Sequence, residues 1–71
     1  MENLENWREK IERGDKAEAA RRLRVSVAHY KNSQKKSPDR WTPNEIAINK
    51  TVKEIVLERE STRQEFIQEA N

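Results

Sequence analysis

Residues 15–36 read DKAEAARRLRVSVAHYKNSQKK, and the fold turns on how this stretch is divided. Asp15 with Glu18 three residues on forms a D-x-x-E start signal for a helix over about 16–23. Ala17, Ala19 and Ala20 are strong helix formers whose small side chains allow another helix to approach closely. Leu23 supplies the one large apolar residue of this helix. Arg24-Val25 reads as a tight turn, and Ser26 is a good N-cap for a following helix over about 27–35. Charge singles out the same region. Between Lys16 and Arg40 lie eight cations (Lys16, Arg21, Arg22, Arg24, Lys31, Lys35, Lys36, Arg40) against Glu18 and Asp39, whereas both flanks are net acidic. The overall charge of +2 therefore hides a basic middle between two acidic ends. A basic block on one compact element is the electrostatic footprint of a polyanion binder.

Working outward, Leu4, Trp7 and Ile11 fall at i, i+3 and i+7, which predicts an amphipathic first helix over about 3–13. Gly14 is suited to end it in a left-handed conformation. Ser37-Pro38-Asp39-Arg40 is a loop by composition. In Thr42-Pro43-Asn44-Glu45 the threonine caps, proline occupies the first helical position and glutamate reaches back. A long helix is expected from about 43. Ile48, Val52 and Ile55 form its stripe, widened by Ile46, Val56 and Leu57. Ser61-Thr62 marks a place where it can bend or fray, and Phe66, Ile67 and Ala70 form a last small apolar patch. Trp7 and Trp41 are expected to pack, Trp41 as a staple against Ile46 or Ala47. No segment alternates like a strand. The expected class is all-α, a small helical bundle, with residues 1–57 as the functional domain and 58–71 as a helical extension that dimerises or frays.

Composition narrows the function. Seventy-one residues, 32% apolar and 39% charged, make a single domain whose core is small. No cysteine is present, so disulfides and thiolate metal sites are excluded. His29 has no second ligand nearby, and no nucleophile–base pair or phosphate-cradling glycine loop occurs. No catalytic residue, metal, cofactor or small-molecule ligand is expected. Glu54, Glu58, Glu60 and Glu65 read as a solvated helix face, with Lys50–Glu54 spaced for a weak ion pair. No apolar run approaches membrane-spanning length and the first residues lack a signal-peptide core.

Residues 16–35 resemble the helix-turn-helix of phage Cro and repressor proteins and of lac-repressor-type regulators. Ala20 matches the small residue where the two helices cross, Leu23 the apolar residue that enters the core, Val25-Ser26 the inward valine and capping serine, and Tyr30 the anchor of the recognition helix. Two positions depart from the pattern. Arg24 stands at the turn glycine and Ser33 at the second apolar anchor. The resemblance implies sequence-specific binding of duplex DNA by a small transcriptional regulator of the repressor kind. Val27, Ala28, Lys31 and Asn32 would then face the major groove. Lys16, Arg24, Ser26, Lys35 and Lys36 are assigned to phosphates, which position the protein without reading sequence. A homodimer seamed along Ile48, Val52, Ile55 and Phe66 would present two recognition helices, in a cytoplasmic, nucleoid-associated setting in a bacterium or encoded by a phage; the alternative is that Ile48, Val52 and Ile55 close the core of the monomer and residues after Arg59 are disordered. The competing reading is a helical protein-interaction module or antitoxin-like adaptor without specific DNA readout.

Overall fold

A computed structural model describes the backbone of residues 4–70 and the side chains of residues 6–69. The expected helix start at Asn3 lies outside the described residues, and the apolar roles of Leu4 and Ala70 lie outside the described side chains. The order is a 3-10 helix Leu4–Lys10, α1 Asp15–Leu23, α2 Ala28–Ser33, a 3-10 turn Pro38–Arg40 and α3 Pro43–Ala70. The described chain is all-α, as its patterning predicts.

The long α3 is the spine. Ile48, Val52 and Val56, spaced by four, are 0% exposed. Each such side chain contributes about 1.5–3 kcal/mol by leaving water. Ala19 and Ala20 of α1, Tyr30 of α2 and Trp7 of the 3-10 helix complete the core, and Ile11, Leu23, Val25, Val27, Ile55 and Leu57 pack around it. Of the two readings of this stripe, Ile48 and Val52 close the core of the single chain, with Ile55 packed against it. The start of α3 is as read from Thr42 to Glu45. The Thr42 N–H donates to Glu45 Oε1 at 2.8 Å and the Glu45 N–H to Thr42 Oγ1 at 3.3 Å. No break occurs at Ser61-Thr62, where the helix runs on continuously and Thr62 Oγ1 donates to the Glu58 carbonyl at 3.0 Å.

The N-terminal expectations need correction. Residues 3–13 do not form one α-helix. A 3-10 helix ends at Lys10 because its next hydrogen bonds are diverted to side chains. The Lys10 carbonyl accepts Arg59 Nη2 at 2.7 Å, and the Glu12 N–H donates to Asp15 Oδ2 at 2.7 Å. Gly14 is left-handed (φ 96°) as expected, but it stands at the N-cap of α1 rather than closing the preceding helix. Asp15 is accordingly the first residue of α1, not its cap, and is 7% exposed. Its carboxylate receives Arg59 Nη1 at 2.7 and 2.9 Å. Arg59 Nε also lies 3.3 Å from Glu12, and Arg63 pairs with Glu12 at 2.6 Å. These contacts fasten α3 beyond residue 57 to the loop before α1. Burial raises the Asp15 pKa, but the Arg59 hydrogen bond, the Glu12 N–H and the charges of Arg59 and Arg63 outweigh it and hold the carboxyl below its ordinary value.

Candidate nucleic-acid interface

The turn between α1 and α2 is closed by two reverse hydrogen bonds. The Arg24 N–H donates to the Arg21 carbonyl at 3.2 Å and the Val25 N–H to the Ala20 carbonyl at 3.0 Å. This pair is the Schellman closure, which needs a left-handed residue between the bonds. Arg24 fills that place with φ 58° and ψ 42°. Its side chain is exposed, while Val25 turns inward against the core. Ser26 is exposed and its Oγ accepts the Ala28 N–H at 3.1 Å. It caps the turn into α2 from one position outside the formal N-cap, Val27.

The expected helix over 27–35 is shorter than its sequence suggests, running Ala28–Ser33. Its inner face is Tyr30 and Ser33, at 4% and 0% exposure. Its outer face presents Ala28, Lys31 and Asn32, with Lys35 one turn further on, all exposed. The spacing i, i+3, i+4 places Ala28, Lys31 and Asn32 on one side, and Lys35 follows in the turn beyond Ser33. Val27 does not share that freedom, being half-buried against the core. His29 is half-buried, with its N–H bonded to the Ser26 carbonyl.

Ser33, the second departure from the resemblance, turns out to be the centre of a polar latch. Its Oγ donates to the Tyr30 carbonyl at 2.6 Å and accepts Asn49 Nδ2 at 2.9 Å. Asn49, 4% exposed, also donates to the Glu45 carbonyl at 2.8 Å and accepts Gln34 Nε2 at 3.4 Å. The Ser33 carbonyl receives Trp41 Nε1 at 2.8 Å. Hydrogen bonds thus fix the end of α2 to α3 and to the Trp41 loop. Sequence reasoning missed Asn49. The available signal was a polar residue placed between Ile48 and Val52 on the buried side of α3.

The cations of the basic block differ in what they touch. Arg21 and Arg22 both bond to Glu18 on the exposed side of α1. Lys36 reaches Glu45 Oε1 at 2.6 Å, so it forms part of the α3 cap. That hydrogen bond, then the Thr42 N–H, holds the Glu45 carboxyl below its ordinary pKa. Lys16 places Nζ 5.1 Å from the centre of the Tyr30 ring, a cation–π contact across α1 and α2. Burial pushes the Tyr30 hydroxyl above its ordinary pKa. Arg24, Lys31, Lys35 and Arg40 are exposed and make no ion pair among the described residues.

Trp7 is 7% exposed, with the Arg8 guanidinium 4.8 Å from its ring centre. Trp41 is half-buried. Both line a surface cavity of about 400 Å³ together with Arg8, Ile46, Asn49, Lys50 and Lys53. The expected Lys50–Glu54 pair does not form among the described residues. No family model matches the chain, and neither a curated protein nor a solved structure matches it significantly. No described helix is long and apolar enough to cross a membrane.

Proposed function

We propose that this chain is a small transcriptional regulator that binds duplex DNA sequence-specifically, with α2 in the major groove. The observation that carries the reading is the division of α2 into a buried face, Tyr30 and Ser33, and an exposed face, Ala28, Lys31 and Asn32, with the exposed Lys35 in the turn that follows. A helix of this kind fits the major groove, where asparagine pairs bidentately with adenine, lysine donates to guanine and alanine meets a thymine methyl. Asn32, Lys31 and Ala28 take these roles, and Val27 contributes through what its packing leaves exposed. Arg24, Lys35, Arg40 and Lys16 hold phosphates beside them, and Ser26 adds a hydroxyl at the turn. Lys36 adds less, because a phosphate would have to displace Glu45. Repression by occupying an operator in the nucleoid is the mode that this reading favours.

Selection of bound duplexes from a random library, followed by a salt titration of the winner, tests the proposal. Each neutralised phosphate contributes about −0.9 to the slope of log K against log salt. Four or five engaged cations predict a slope of about −3.5 to −4.5 per protomer. An enriched motif with that slope supports the reading. Binding without sequence enrichment, or no binding at low salt, contradicts it.

A further inference from the structure

DNA binding through α2 leaves unused the surface cavity of about 400 Å³ between the 3-10 helix, the Trp41 loop and α3. Ile46, Asn49, Lys50 and Lys53 line it from α3. Their i, i+3, i+4, i+7 spacing sets them in one row, about 10.5 Å long from Ile46 to Lys53. Trp41 and the 3-10 helix residues Trp7 and Arg8 supply the rest of the lining. Trp7 and Asn49 are nearly covered, at 7% and 4% exposure, and form the base. An occupant therefore touches the half-buried Trp41, Ile46, which is 51% exposed, and the three exposed cations Arg8, Lys50 and Lys53.

The charge around this cavity is one-sided. No carboxylate lines it, and none of the three cations forms an ion pair among the described residues. Glu12 and Glu45 are engaged elsewhere, with Arg59 and Arg63 and with Lys36. Like charges gathered at one opening repel each other, and an anion set among them relieves that repulsion. The walls are also fixed in advance. Trp41 Nε1 is bonded to the Ser33 carbonyl at 2.8 Å, and the Arg8 guanidinium rests 4.8 Å from the Trp7 ring centre. Side chains already held in this way lose little freedom when a ligand arrives. Size limits the occupant. A cavity of roughly 150 Å³ holds a benzene ring, so this one takes a single ring together with its head group.

We propose that the cavity binds a small aromatic acid, one ring carrying carboxylate or phosphate groups. The ring lies against Trp41 and Ile46. The head group is met by Arg8, whose fork matches carboxylate and phosphate oxygens, and by Lys50 and Lys53. This site uses no residue of α2 and does not depend on the DNA reading.

Titration of the isotope-labelled full chain with phthalate and with phenyl phosphate, followed through the backbone and indole N–H resonances, tests the inference. At least one of these acids shifts the Trp41 indole and the amides of residues 46–53 saturably. It binds at least about tenfold more tightly than benzyl alcohol, which offers the ring alone, and than inorganic phosphate, which offers the charge alone. K50Q/K53Q, at exposed positions, weakens that binding about tenfold or more, with helix content unchanged by circular dichroism. Absence of saturable shifts with both acids at millimolar concentration overturns the proposal. So does inorganic phosphate or benzyl alcohol binding as tightly as the acids, or undiminished binding by K50Q/K53Q. Displacement of the acid by one equivalent of random duplex DNA also overturns it, because the three cations would then serve the DNA backbone.

Discussion

Arg24 occupies a left-handed conformation (φ 58°) that glycine adopts without strain. A side chain there costs roughly 1–2 kcal/mol, of which glycine returns part through its greater freedom in the unfolded chain. Arg24→Gly is therefore expected to stabilise the fold by about 0.5–1 kcal/mol. It also removes a cation that makes no ion pair among the described residues, so affinity for every duplex falls and the salt slope shrinks by about 0.9. Thermal unfolding and binding titrations of the one variant check both halves. Stability and affinity moving in opposite directions marks a residue kept for its charge at the expense of its backbone. A loss of stability would assign Arg24 a packing role instead.

At the scale of elements, the seat of α2 depends on the Ser33–Asn49 latch rather than on apolar anchoring alone. Removing one partner leaves a buried polar group short of a hydrogen bond, which costs about 1–3 kcal/mol. Ser33→Ala and Asn49→Leu should each destabilise by that order in urea unfolding. The double variant should cost at least about 0.5 kcal/mol less than the sum of the two singles. Strict additivity would show that the latch does not couple α2 to α3. The sequence made the local devices legible. The Thr42–Glu45 cap follows from a spacing of three residues, while the inward set Ala20, Leu23, Val25 and Tyr30 and the turn position of Arg24 are what the resemblance to the helix-turn-helix implies. The latch joins residues 16 apart and the Asp15–Arg59 clamp residues 44 apart, and no local rule reaches that far. The N-terminal helix departs from its periodicity for the same reason. Its periodicity is helical, but Arg59 and Asp15 take the hydrogen-bonding groups that would have extended it.

The whole molecule is elongated, with extents of 44 × 23 × 17 Å and a radius of gyration of 13.6 Å, against about 11 Å for a compact chain of this length. The long axis matches the 28 residues of α3, about 42 Å of helix. Its outer half is held to the bundle by charge, through Arg59 and Arg63, more than by apolar burial. Folding stability should therefore respond to acid. Asp15 has a depressed folded-state pKa, so its contribution is present above the ordinary value of 3.8 and is lost as pH falls through the folded value. Asp15→Asn should cost about 1.5–3 kcal/mol near neutrality. Its midpoint should converge with wild type in melts taken progressively below pH 3.8. A gap that stays constant through that range would remove the ion pair from the stability of this end.

What the basic block does rests on whether the exposed face of α2 reads bases. The measurement that bears on it most directly is the binding of Asn32→Ala and Lys35→Ala to a selected duplex and to its single-base-pair substitutions. Asn32→Ala is expected to lose about 1–3 kcal/mol on the selected duplex and to lose its preference at one base pair alone. Lys35→Ala should weaken all duplexes equally and leave every preference in place. Identical behaviour of the two variants across the set would contradict major-groove reading by α2.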